Sequence, residues 1–181
     1  MWLVFAAVVM YERKMLNTSH IILIIAIAGF ILRLGYIAYT AYNQRQHDVY
    51  DFGGGSGHSQ YILYFFENAN LPDFDPRNIW QFYHPPLHHI IAGLWMRFLD
   101  LFGMDFARIV ENIQLLTLFY SSSCMVICYR ILTELGLCKG PLILSFSLIA
   151  FNPSFIIFAG SINNDILSIT FMLGAILWTL R

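Results

Sequence analysis

The chain has 181 residues, 58% of them hydrophobic and only 12% charged, with a formal net charge of −1 and a mean hydropathy of +0.62. A soluble core of this length cannot absorb that much apolar surface, so the composition points to a multi-pass membrane protein. The balanced charge and the lack of a basic cluster exclude an electrostatic nucleic-acid partner. The three cysteines follow neither a disulfide framework nor a zinc-binding spacing.

The N-terminal run MWLVFAAVVM is too short to span and is followed by YERK rather than by a small-residue cleavage site. It reads less well as a signal peptide than as an interfacial stub, or as sequence preceding a true start at Met15. The first full span is predicted over 20–42, interrupted only by Arg33; others follow over 109–129, 141–160 and 166–180. Arg33 lies below the outer end of the first span and needs a partner inside the bundle, for which a phosphate, an acidic side chain or a structural contact would serve.

Basic residues in short loops precede the first span (ERK) and the third (RILTELGLCKG), and the positive-inside tendency puts both on the cytoplasmic side. An even number of crossings must separate them. The intermediate run FYHPPLHHIIAGLWMRFLDLFG, from Phe82 to Gly103, is therefore expected to lie on the membrane as an interfacial helix over 85–103. Pro85 and Pro86 suit a helix start, and Leu87, Ile90, Ile91, Leu94, Phe98 and Leu101 recur at helical spacing. His88, His89, Arg97 and Asp100 are tolerable at an interface but costly at bilayer depth.

The expected fold is thus an all-α membrane protein: a polytopic helical bundle of about four transmembrane helices, with interfacial helices in a large first extracytoplasmic loop, 43–108. That loop holds Asp48, Asp51, Glu67, Asp73, Asp75, Asp100 and Asp105, and five of the six histidines. The next outward connection, AGSINNDILS, faces the same compartment. The GGGSG patch at 53–57 lacks the lysine of a phosphate loop and reads as a linker. Tyr50, Tyr61, Tyr64, Phe65 and Phe66 suit either sugar stacking or an interfacial belt.

In order, the chain presents a first span with a late arginine, QHDVYDF, YHPPLHHIIAGLW, LFGMDFARIVENI leading into a span, and FNPSFIIFAGSINNDILS. From about residue 19 onward this order resembles the N-terminal part of the GT-C membrane glycosyltransferases. The particular likeness is to glycosyltransferase family 39, the protein O-mannosyltransferase and aminoarabinose transferase branch. The resemblance implies that 1–181 is a single N-terminal part of such a transmembrane domain, since the complete family fold has about twice as many spans. It implies transfer of a sugar from a polyprenyl-phosphate donor to a protein, glycan or lipid acceptor on the extracytoplasmic face. The setting is the cytoplasmic membrane of a bacterium, or the ER membrane in a eukaryote. Asp48 matches the family's general base in the first outer loop, and Asp165 its acidic position in the next. His47 stands beside Asp48 where the family usually pairs acidic residues.

The chemistry asks for these residue types in its own right. An acceptor hydroxyl needs a positioned base, and a carboxylate at an interface gains basicity from partial desolvation. Asp51 is a support or helix cap, and Asp165 sits at a helix start where an anion is favoured in any case. His84 and His88 straddle the two prolines and suit phosphate or sugar, with Arg33 and His47 as further substrate-binding candidates. The residues name no cofactor, a divalent cation is compatible, and a zinc site from His84, His88 and His89 is a sharper alternative that neither a cysteine nor a fixed histidine spacing supports. A noncatalytic membrane scaffold or subunit and a transporter fragment remain the competing classes.

Overall fold

A computed structural model of the chain describes residues 16–44, 46, 49, 51–53 and 56–181. Eight α-helices are described: α1 (Thr18–Tyr39), α2 (His58–Asn68), α3 (Leu87–Asp100), α4 (Phe106–Glu111), α5 (Ile113–Glu134), α6 (Lys139–Ala150), α7 (Pro153–Phe158) and α8 (Asp165–Thr179). A 3-10 turn, Pro76–Asn78, lies between α2 and α3. No strand occurs among the described residues. The readings of 1–15, of His47 and of Asp48 lie outside the described residues.

Two helical runs are long and apolar enough to cross a membrane: α1, and α4–α5 taken together over Phe106–Glu134. Asn17 starts α1 by accepting a hydrogen bond from the His20 amide at 3.0 Å. Its 22 residues reach about 33 Å. Leu23, Ile27, Ile31 and Leu34 stay exposed along it, so the helix is apolar on its outward face as well as its packed one.

The run expected as a third span, 141–160, is not one helix. Asn152 and Pro153 divide it: Pro153 has no amide to donate, and the Asn152 Oδ1 accepts from the amides of Ser154 (2.9 Å) and Phe155 (3.3 Å) to start α7 anew. The break, and the early end of the short α7 beyond it, leave backbone carbonyls without helical partners, and side chains of α1 and α5 supply donors. On α5, Gln114 donates to Gly160 O at 3.0 Å, Thr117 to Ala159 O at 2.8 Å and Ser121 to Phe155 O at 3.1 Å. On α1, Arg33 Nη1 donates to Ala150 O at 2.8 Å, at the C-terminal end of α6. Irregular backbone inside a bundle survives only when such partners exist. The α6 and α8 helices, 12 and 15 residues long, are apolar but short.

The ends of α1 and α5 fix where the intervening chain goes. Gln114 Nε2 donates to Thr40 O at 2.9 Å, and deeper in the pair Arg33 Nε donates to Ser121 Oγ at 2.8 Å. The two helices are thus antiparallel, with the C-terminal end of α1 beside the N-terminal end of α5. Residues between them leave and rejoin the bundle at one end. They build a small core there, in which Val49, Phe52 and Ile62 pack with Ala92, Met96, Ile109, Ile113 and Ile162.

α3 covers 14 residues, about 21 Å, too short to cross a hydrocarbon core of about 30 Å. Both of its sides are apolar. His88, His89, Ala92, Gly93, Met96 and Leu99 are buried, while Leu87, Leu94, Phe98 and Leu101 are exposed. It runs back along the start of α5: His88 meets Tyr120 edge-on and Trp95 Nε1 donates to Asn112 O at 3.2 Å. Arg97 closes the end of α2 by donating to Phe66 O (2.7 Å) and Glu67 O (3.1 Å).

The α2–α3 crossing depends on Gly93. A Cβ there would lie 2.9 Å from Phe65 Cδ1 and 3.1 Å from the Phe66 amide nitrogen. Gly93→Ala is expected to cost about 1–3 kcal/mol, as overpacking does. Gly35→Ala, where nothing lies within 4 Å, should be neutral or slightly stabilising. Thermal unfolding of both variants in detergent checks this, and equal melting temperatures would contradict the close crossing.

Candidate functional site

The end of the bundle where the described residues between α1 and α5 gather also receives the second connection, Gly160–Asp165. Gln46 binds that connection on both sides, its Nε2 donating to Gly160 O at 2.8 Å and its Oε1 accepting from the Ile162 amide at 3.1 Å. Gln114 donates to the same Gly160 carbonyl. Val49 is fully buried and packs in the cluster that contains Ile162. The described residues on either side of His47 and Asp48 are therefore anchored to the second connection.

A cavity of about 100 Å³ lies where the YHPPLHH segment meets the start of α8, lined by Pro85, Leu87 and His88 from one side and Asn164, Leu167 and Ser168 from the other. His88 is fully buried, and neither ring nitrogen has a hydrogen-bond partner. Asn164 Oδ1 is buried and unpartnered as well. Asn164 stands at the N-cap of α8 but makes no side-chain capping bond, so its amide is free for other work. Ser168 Oγ is committed, donating to Asn164 O at 3.0 Å.

Behind His88 is an aromatic and imidazole stack. His58 Nδ1 and His89 Nε2 are 2.9 Å apart, one donating to the other. Tyr61 stacks on His89 and on Phe82 with ring centroids 4.3 and 4.5 Å away. His84 is half-buried, its ring 5.0 Å from that of His58. Burial, with His58 nearby adding to it, pushes the pKa of His88 down to about 3. His89 is likewise held well below the usual imidazole range, by burial first and then by His88, His58 and His84. Both rings are neutral near pH 7, when an imidazole offers one donor and one acceptor. Among the described residues no group of three or more His, Cys, Asp or Glu side chains is arranged to hold a metal ion.

Asp165 is the first residue of α8, as its sequence context predicts, and is exposed. Its Oδ2 accepts from Asn163 Nδ2 at 3.2 Å, and it follows the lining residue Asn164 without itself lining the cavity. Asp51 does not cap a helix. Gly57 holds the N-cap of α2, at a φ of 104°, and Asp51 contributes its main-chain carbonyl to Ser59 Oγ and Gln60 Nε2. Arg33 is fully buried and bonds to Ser121 Oγ, Gly29 O and Ala150 O. The partner that its position demands is the broken backbone of α6. The expected substrate residues thus separate: His84, His88 and Asp165 lie around one end of the bundle, and Arg33 lies among the helices below it.

Sequence reasoning passed over Gln46, Gln114 and Asn164. Gln114, Thr117, Ser121, Cys124 and Cys128 are all buried on α5 and recur at helical spacing in an otherwise apolar run, a polar stripe that was there to be read. A larger groove of about 350 Å³ lies beside the end of α1, lined in part by Tyr39, Thr40, Glu111 and Gln114. Its carboxylate, Glu111, accepts from the Tyr42 amide at 3.2 Å and so ties the chain leaving α1 to the end of α4. No protein-family model, curated protein or solved structure matches this chain.

Proposed function

We propose that the chain is part of a multi-pass membrane transferase that moves a sugar from a polyprenyl-phosphate donor to a protein, glycan or lipid acceptor on the extracytoplasmic face. In this reading α1, α4–α5, α6–α7 and α8 are four spans, the third crossing in two pieces whose freed carbonyls are bonded by α5 and Arg33. α3 lies at the outer interface with Leu87, Leu94, Phe98 and Leu101 toward lipid. The positive-inside tendency then puts the gathered end, with both connections, outside.

The observation that carries the proposal is the cavity shared by Pro85–His88 and Asn164–Ser168. Residues far apart in sequence, singled out for one chemistry, line or flank the same small space. Asp48 is the base in this proposal. Its carboxylate takes the proton of the acceptor hydroxyl, the hydroxyl oxygen bonds to the anomeric carbon, and the bond from that carbon to the phosphate oxygen breaks, releasing polyprenyl phosphate. Asp165 supports the polar side of the site, and His84 and His88 bind the donor. A divalent cation is compatible with the leaving phosphate, and no step depends on it.

The test is transfer itself. Membranes containing the protein, given polyprenyl phosphates that carry radiolabelled sugars, should move label from the lipid to an acceptor. Label that stays on the lipid across a panel of hexose and pentose donors would remove the proposal.

A further inference from the structure

We propose that His88 and Asn164 form a subsite for the uncharged hydroxyl groups of a sugar, and that phosphate is bound elsewhere. The proposal rests on the transferase reading and deepens it by assigning this cavity to one half of the donor.

The argument is one of donors and acceptors. Both nitrogens of the buried His88 ring are unpartnered, as is Asn164 Oδ1, and both residues line the cavity. His88 offers one N–H and one ring-nitrogen acceptor, and the Asn164 side-chain amide offers its Oδ1 acceptor and its Nδ2 hydrogens, so the set holds donors and acceptors together. A hydroxyl group donates one hydrogen bond and accepts others, so a vicinal pair of hydroxyls fits this set. A phosphate, which only accepts when ionised, would leave the ring acceptor of His88 and Asn164 Oδ1 unpaired. Burying an anion there without a cation would be costlier still.

The surroundings of His88 supply no such cation. The titratable groups facing it are His89 on its own helix, His58 on α2 and Tyr120 on α5. Arg33 bonds through Nε and Nη1 to Ser121, Gly29 and Ala150, its Nη2 is unpartnered, and it does not line the cavity. Beside Ser168, whose hydroxyl is bonded to Asn164 O, the rest of the lining, Pro85, Leu87, Leu167 and Phe171, is apolar, which suits the C–H face of a pyranose. The volume of about 100 Å³ equals the share of about three waters, enough for one hydroxyl-bearing edge of a ring and too little for a whole disaccharide.

The experiment uses the purified chain in detergent, titrated with a short prenyl phosphate bearing a hexose and with the same prenyl phosphate lacking it. The ratio of the two affinities isolates the sugar's contribution. The unmodified chain should bind the glycosylated lipid about tenfold more tightly or better. His88→Leu and Asn164→Leu should each bring the ratio close to one without changing affinity for the bare lipid. His88→Gln, which keeps a neutral donor and acceptor, should retain most of the ratio. Asn164→Leu keeps the test independent of any folding defect at His88, because the oxygen it removes has no partner.

Equal affinity of the unmodified chain for both lipids would overturn the subsite, the cavity then holding water only, and would leave the transferase reading in place. A ratio unchanged by His88→Leu, with weaker binding of the bare lipid, would overturn it in favour of phosphate. Binding of neither lipid would remove the subsite and the transferase reading together.

Discussion

Replacing Asp48 with Asn should lower sugar transfer by about 100-fold or more while the protein still inserts and still binds its lipid donor. The amide keeps the size and hydrogen-bonding capacity of the carboxylate but loses nearly all of its ability to accept a proton, and general-base assistance contributes about 10²–10⁴ in rate. Asp51→Asn should cost far less. The Asp51 contacts are made by its main-chain carbonyl, to Ser59 and Gln60, and these survive a change of side chain. Asp165→Asn falls between: the bond from Asn163 Nδ2 loses its charge assistance, and α8 loses a favourable charge at its start, worth about 0.3–1 kcal/mol. The measurement is turnover of a polyprenyl-phosphate sugar, normalised to the amount of folded protein. Near-normal turnover by Asp48→Asn beside abolished turnover by Asp51→Asn or Asp165→Asn would refute the assignment of the base.

The second large effect is on stability in acid. His88 titrates at about 3 in the folded protein, because burial disfavours its charged form, against 6.5 when free. The unfolded chain therefore binds a proton below pH 6.5 that the folded chain refuses. The stability linked to this group is present above pH 6.5 and is lost as pH falls from there toward 3. At pH 5 the loss from His88 alone is about 2 kcal/mol. His89, shifted in the same direction, adds to it. Unfolding in detergent at pH 7.5 and pH 5 should show this loss, and His88→Gln should show less of it. Equal stability at the two pH values would mean that the imidazoles are solvated or paired with an acid.

The helices of this chain were legible where local chemistry decides them. Two prolines followed by apolar residues at helical spacing predict the start of α3, and it begins at Leu87. The sequence Asn163-Asn164-Asp165 predicts a helix start, and α8 begins at Asp165. Hydropathy alone was a poorer guide at Asn152 and Pro153. Averaging over an apolar run hides a break made by a single missing amide and a side-chain cap. At the break Arg33 reaches the Ala150 carbonyl, and Ser121, Thr117 and Gln114 reach carbonyls of α7 and its C-terminal end. A pairing of that kind is tertiary and leaves no local mark.

The site divides along the same line. His88 was visible as a polar residue on an apolar helix, but its burial, and hence its neutrality, follows from α5 and α8 packing over it. Asn164 occupies the capping position of α8, one residue before the helix start that the sequence places at Asp165. Its side chain makes no capping bond, and the unpartnered oxygen is evident only in three dimensions. Arg33 was expected to need a partner, and the partner is a carbonyl freed by a break that the sequence reading had not placed.

The account depends most on both connections standing at one outward-facing end of the bundle, and thiol accessibility measures this directly without requiring activity. Single cysteines at Ser56 and Asp105 probe the first connection, and the exposed native Cys138, in the turn between α5 and α6, probes the opposite end. In intact cells an impermeant thiol reagent should label Ser56→Cys and Asp105→Cys. Cys138 should label only after the cells are permeabilised. Labelling at position 56 without labelling at 105 would mean that the segment 85–103 crosses the membrane, and labelling of Cys138 in intact cells would put the cavity on the wrong side for an extracytoplasmic transferase.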